Sequence, residues 1–144
     1  MQFQSIYFKL QGMDRHYEKL LKEYLSFFPC VALVGSRQCG KTTLLQTLPQ
    51  DWRVFDLEKQ SDFQSLAQDP DLFFRLNSDK IAIDEAQLRP ELFPALRVAV
   101  DRDRQRTGRF VITGSSSPKL VRAVSESLAG RIGISKWRRY PFPK

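Results

Sequence analysis

Eight consecutive residues carry the first chemical signal. Gly35-Ser36-Arg37-Gln38-Cys39-Gly40-Lys41-Thr42 fits G-x-x-x-x-G-K-[ST] at every position. The glycines let the backbone curl closely around a phosphate chain, where side chains would clash. Successive N–H groups then point inward as an anion nest, and Cys39 contributes through its backbone N–H. A helix starting after the loop adds its positive dipole end. Lys41 reaches the β- and γ-phosphates of a nucleotide. The Thr42 hydroxyl suits Mg²⁺, a hard cation that prefers oxygen.

Three further groups belong with the loop. Ile81-Ala-Ile83-Asp84-Glu85 puts two carboxylates at the end of an apolar run. Asp84 is placed to hold Mg²⁺ through a water, and Glu85 to orient and deprotonate an attacking water. Thr113-Gly-Ser-Ser-Ser117 closes a later apolar run, and two readings of it stay open. A hydroxyl from Thr113 or Ser115 touches the γ-phosphate or the water, or the turn caps the following helix. Arg131 follows Ser127-Leu-Ala-Gly130 and also has two readings. It stabilises transition-state charge, in its own chain or across a subunit interface, or it forms a surface ion pair.

These groups converge only if the chain supplies strands ending at one edge. Cys30–Val34 is a short continuous apolar run, as in strands buried on both faces of a parallel sheet. Residues 52–57, Lys80–Asp84 and Arg109–Thr113 read as further strands, and Arg131–Trp137 as a fifth, weakened by Gly133 and its charges. Apolar spacings of three and four give helices over Asp14–Phe28, from the loop to Leu48, over Glu91–Arg104 and over Ser117–Leu128. Ser61–Gln68 reads as a short helix with a serine cap. Alternating strands and helices predict an α/β fold with a mostly parallel sheet, whose ligands bind beyond the strands' C-terminal ends.

The chain has 144 residues, one domain's worth, and its 42% apolar share is enough for a core. No stretch approaches the roughly 18 apolar residues of a membrane span, and residues 1–10 lack the pattern of a signal peptide. The expected setting is therefore cytoplasmic. Cys30 and Cys39 are too few for a disulfide framework, and His16 lacks partners for a triad or a zinc site. The net charge of +7 is uneven: residues 97–144 hold 12 basic and 3 acidic groups, against 7 and 10 in residues 31–96. Such a segment suits a second copy, an acidic partner protein or non-specific contact with nucleic acid.

With these residues in place, the chain resembles a prokaryotic AAA-type, STAND-like family of P-loop ATPases. Gly35-Ser-Arg-Gln-Cys-Gly-Lys-Thr-Thr-Leu-Leu45 is similar to its G-x-R-Q-x-G-K-T-T-L core. Ile83-Asp-Glu-Ala-Gln87, Thr113-Gly-Ser-Ser116 and Ser127-Leu-Ala-Gly-Arg131 resemble its later motifs, in order. The resemblance implies a three-layer α/β/α sandwich with a strand inserted between the phosphate-loop and acidic strands, in the order 5-1-4-3-2. It implies ATP and Mg²⁺, held by residues 35–43 from Gly35 through Thr43, with Thr42 and Asp84 as metal ligands. Lys41 and Glu85 would be catalytic, Thr113 or Ser115 the sensor and Arg131 a finger. Members usually continue into a C-terminal domain, so residues 1–144 are expected to be the ATPase core without it.

The favoured reading is ATP hydrolysis driving a conformational switch in an attached or partner domain. A binding remnant without turnover and a P-loop small-molecule kinase are the alternatives. A base beside the magnesium carboxylate suits water as the acceptor. The Asn-Lys-x-Asp guanine reader of GTPases is absent, since Asn77 is the only asparagine.

Overall fold

The structure is a computed structural model that describes residues 16–36, 40–115 and 117–137. Helix α1 covers residues 16–27. It is followed by β1 (Cys30–Gly35), α2 (Lys41–Leu45), β2 (Arg53–Asp56), α3 (Gln60–Ala67), α4 (Pro70–Leu76) and β3 (Ile81–Asp84). A 3₁₀ turn at Ala86–Leu88 leads to α5 (Leu92–Asp101), β4 (Phe110–Gly114), α6 (Pro118–Leu128) and β5 (Ile132–Trp137). The five strands form one parallel sheet in the order β2-β3-β4-β1-β5. Read from the other edge this is the expected 5-1-4-3-2, with β4 as the strand inserted between β1 and β3.

The side chains of β1 show why the sheet is central. Cys30, Ala32 and Val34 alternate into one core, and Val31 and Leu33 into the other. The first core is covered by α3, α4, α5 and α6 through Leu66, Phe74, Leu96, Val124 and others. The second is covered by α1 and α2 through Leu21, Leu44 and Leu45. A strand with apolar residues on both faces is stable only between two helical layers, so the three-layer sandwich follows from the sequence of β1. Parallel pairing then sends every strand's C-terminal end to one edge. Val34 pairs with Gly114, Gly35 with Trp137 and Asp56 with Asp84.

Several local features depart from expectation. The serine cap on α3 does not form. Lys59 is the N-cap without a side-chain bond, and Ser61 lies inside the helix. Asp62 in that first turn instead accepts the Asp56 N–H at 3.0 Å, tying α3 to the end of β2. Helix α4 was not anticipated, although its start is legible. Asp69 accepts the Leu72 N–H at 3.0 Å and Pro70 occupies the first turn, where a missing N–H is harmless. Helix α2 is only five residues long. Its last turn tightens through i→i+3 bonds from Gln46, Thr47 and Leu48, which carry it to Pro49. In β5, Gly133 proves to be a packing requirement. A Cβ there would lie 2.5 Å from the Phe28 ring, which rests on the strand.

Candidate functional site

At the C-terminal edge, β1 runs out at Gly35 and α2 begins after Gly40. Gly40 has φ of 87°, a left-handed conformation that disfavours any side chain and turns the loop into the helix. Ser36 is exposed, and Arg37, Gln38 and Cys39 lie outside the described residues. Lys41 opens α2 and is only 3% exposed. Its Nζ donates to Gly35 O at 2.5 Å and Gly114 O at 2.8 Å, bridging the ends of β1 and β4. An ammonium has three donors, so among the described residues one remains beyond these two carbonyls.

The carboxylates sit beside it. Asp84, at the end of β3, is 3% exposed. Thr42 Oγ1 donates to Asp84 Oδ2 at 2.8 Å, and Thr113 Oγ1 donates to Asp84 Oδ1. The Thr113 hydroxyl also accepts the Glu85 N–H at 3.1 Å. Its single proton is thus spent on Asp84, and it joins β4 to both carboxylate residues. Glu85 takes a left-handed backbone, φ 59°, which a non-glycine residue adopts uncommonly. Its Oε2 accepts Gln87 Nε2 at 2.5 Å.

Of the two open readings of the polar turn, the cap is the one seen in the structure. Ser117 caps α6, accepting the Leu120 N–H at 3.2 Å. Thr113 is buried in the network around Asp84 and caps nothing. Ser115 lies half-buried between them, at the same edge as Lys41. Thr43 is exposed on α2.

Arg131 is not brought to this edge. It precedes β5, whose first residue pairs with Cys30, the start of β1. A strand's length, about 17–20 Å at roughly 3.3 Å per residue, separates it from the loop of its own chain. It donates to Asp101 Oδ1 at 2.6 Å, Asp101 Oδ2 at 3.2 Å and Ala129 O at 2.9 Å. That hydrogen-bonded pairing holds the Asp101 carboxyl below its ordinary range and pushes the Arg131 guanidinium up. Of its two readings, the ion pair is the one formed.

The basic last third is partly neutralised by acids from elsewhere. Arg102 pairs with Asp71 at 3.0 Å and Arg106 with Asp79. Burial pushes the Cys30 thiol far up, so it carries no thiolate chemistry. Among the described residues no helix is long and apolar enough to cross a membrane.

The donor set fits a nucleotide and Mg²⁺. A buried ammonium faces the end of the glycine loop, and a hydroxyl and a carboxylate stand in contact as hard oxygen ligands. Residue types and spacing singled out Lys41, Thr42, Asp84 and Glu85, and the structure brings these four to one edge of the sheet. Types and spacing gave no separate role to Gln87, whose signal was only its place in Ile83–Gln87.

Comparison with known proteins agrees with this fold. Residues 28–143, most of the chain, match the AAA domain family. The chain belongs to that family. The chain is also 48% identical over 116 residues to the uncharacterized proteins Rv2008c of Mycobacterium tuberculosis and Mb2031c of Mycobacterium bovis. Each alignment covers 79% of this chain and 26% of the relative, so the AAA chain spans about a quarter of their length. The Walker-type ATPase PABY2304 of Pyrococcus abyssi shares the fold, with a TM-score of 0.52 at 20% identity. That superposition covers 83% of this chain and 52% of the other.

Proposed function

We propose that this AAA domain binds ATP with Mg²⁺ at the C-terminal edge of its sheet and hydrolyses it to ADP and phosphate. The observation that carries the reading is Lys41: a buried ammonium fixed by two strand-end carbonyls with a donor left over, beside the Thr42–Asp84 pair. Lys41 would bind the β- and γ-phosphate oxygens, and the N–H groups of residues 36–40 would line the phosphate chain. Thr42 and Asp84 would hold Mg²⁺, which when bound neutralises phosphate charge.

Glu85 is the group for the proton. A water attacks the γ-phosphorus and forms a new P–O bond. The bond to the β–γ bridging oxygen breaks, and the water's proton passes to the Glu85 carboxylate. Thr113 keeps Asp84 and the Glu85 backbone in register with β4. A water, and not a second substrate's hydroxyl, is the acceptor because the base stands next to the metal carboxylate. Hydrolysis would drive a conformational change in a domain or partner beyond this chain. Arg131 could meet phosphate only on a neighbouring copy, after leaving Asp101.

The test is single-turnover hydrolysis of ATP with Mg²⁺ by the wild type and Glu85→Gln. The variant is expected to slow hydrolysis by about a hundredfold or more, since general-base catalysis contributes 10²–10⁴. Its affinity for ATP should stay unchanged. Hydrolysis at the wild-type rate would remove Glu85 as base.

A further inference from the structure

The Gln87 side chain is bonded in a way that stability alone does not explain. Its Nε2 donates to Glu85 Oε2 at 2.5 Å, while its Oε1 is buried and meets no hydrogen-bond donor among the described residues. The orientation of the amide follows from the carboxylate. Glu85 can only accept, so the NH₂ must face it and the oxygen must point the other way. There it lies against the end of β4: a Cβ on Gly114 would come within 2.9 Å of Gln87 Oε1 and 2.5 Å of Leu120 Cδ2. The carbonyl of that same Gly114 accepts Lys41.

A buried acceptor without a partner is destabilising, and an apolar side chain of similar shape would avoid the loss. What the glutamine provides instead is a donor on one oxygen of Glu85. That residue already has a left-handed backbone, and Thr113 holds its N–H. Backbone and side chain are therefore fixed by separate partners. With Oε2 already accepting one bond, Oε1 is the less engaged oxygen for a proton. This is the arrangement of a base oriented by a third group.

We infer that Gln87 is the positioning residue for Glu85, holding the carboxylate in the rotamer that serves hydrolysis at some loss of stability. The inference rests on the proposed role of Glu85 as base. It gives Gly114 a function as well, since any side chain there would collide with both Leu120 and the Gln87 oxygen.

Gln87→Leu tests this directly, because it keeps the volume and removes both the donor and the orphaned acceptor. Single-turnover hydrolysis should fall about tenfold or more, the usual effect of removing an outer partner from a site carboxylate. ATP affinity should hold within about twofold, and the melting temperature should stay level or rise. In the Glu85→Gln background, Gln87→Leu should have no further effect on the rate, since the two residues act as one unit. Rates of Gln87→Leu equal to wild type, with Glu85→Gln still slow, would overturn the role of Gln87 and leave Glu85 as base. Independent, multiplying losses would show that Gln87 does not act through Glu85. A drop in melting temperature with a proportional loss of active protein would make Gln87 a structural residue. Should Glu85→Gln itself hydrolyse normally, the base assignment and its positioner fall together.

Discussion

Two buried cations sit at opposite edges of the same sheet, and each is 3% exposed. At the N-terminal edge, Arg109 precedes β4 and spends all five of its N–H groups. Nε and Nη2 donate to Ser78 O, Nη1 to Val100 O and Asp103 O, and Nη2 also to Ala99 O. The guanidinium lies 4.9 Å over the Phe110 ring. At the C-terminal edge, Lys41 gives two of three donors to Gly35 and Gly114. Near it, among the described residues, Asp84 accepts two side-chain bonds, and Gln87 Oε1 accepts none. Burial lowers the Arg109 pKa from its ordinary value, and the Asp103 carboxylate opposes that shift. The difference teaches how to separate a structural ion from a site. A buried charge whose bonding capacity is filled by its own chain serves the fold. One with capacity left over, among neighbours also under-used, is arranged for something else to bind.

Removing each cation should therefore break different properties. Arg109→Met strips the donors from the carbonyls ending α5 and from Ser78. Losing a buried, fully bonded charge partner should cost about 3 kcal/mol, or roughly 10 °C in melting temperature for a chain of this size. The fraction still folded should bind ATP as the wild type does. Thermal melts with an ATP titration below the midpoint check both halves. Unchanged stability would mean that those carbonyls find other partners.

A smaller effect separates two hydroxyls of one turn. Thr113→Val keeps its shape and removes the bridge from Asp84 to Glu85 N–H. It should lose about 1–2 kcal/mol and slow hydrolysis about tenfold. Ser117→Ala removes only the α6 cap, about 1 kcal/mol, with hydrolysis untouched. Equal rates in the two variants would contradict the assignment of Thr113 to the carboxylates.

The smallest effects belong to the exposed Arg131–Asp101 pair. In dilute protein, Arg131→Ala should hydrolyse ATP like wild type. A loss seen only in concentrated protein would mean that a neighbouring copy uses the arginine, and an equal loss at both concentrations would contradict its placement. The pair also has a pH signature. Arg131 lowers the Asp101 pKa below its ordinary 3.8, so its stabilisation is present above that value and lost as pH falls through the folded-state value. The small gap in melting temperature between wild type and Asp101→Asn should be constant well above 3.8 and close as pH falls below it. A gap that persists in acid would contradict the pairing.

Much of this was legible because the signals were periodic or chemically specific. β1 is apolar on both faces and feeds both cores, and the carboxylates ending β3 reach the same edge as Lys41. What was hidden depends on tertiary partners. Ser61 resembles a cap until Asp62 is seen bonding β2. Helix α4 is seven residues long, too short for periodicity, so only Asp69-Pro70 announced it. Gly133 reads as a strand breaker until Phe28 is found lying on it. Arg131 stands close in sequence to site motifs, yet strand direction carries it to the far edge. Gln87 needed the orientation of a side-chain amide, which sequence does not hold.

The most direct test of the contrast between the two edges is an equilibrium titration of ATP with Mg²⁺ into the wild type and Lys41→Ala. The account predicts saturable binding to the wild type and loss of tight binding in the variant, with its melting temperature near that of the wild type. Affinities equal within about threefold, under 1 kcal/mol, would show that the buried ammonium is only a strand clasp and that the C-terminal edge is not the nucleotide site.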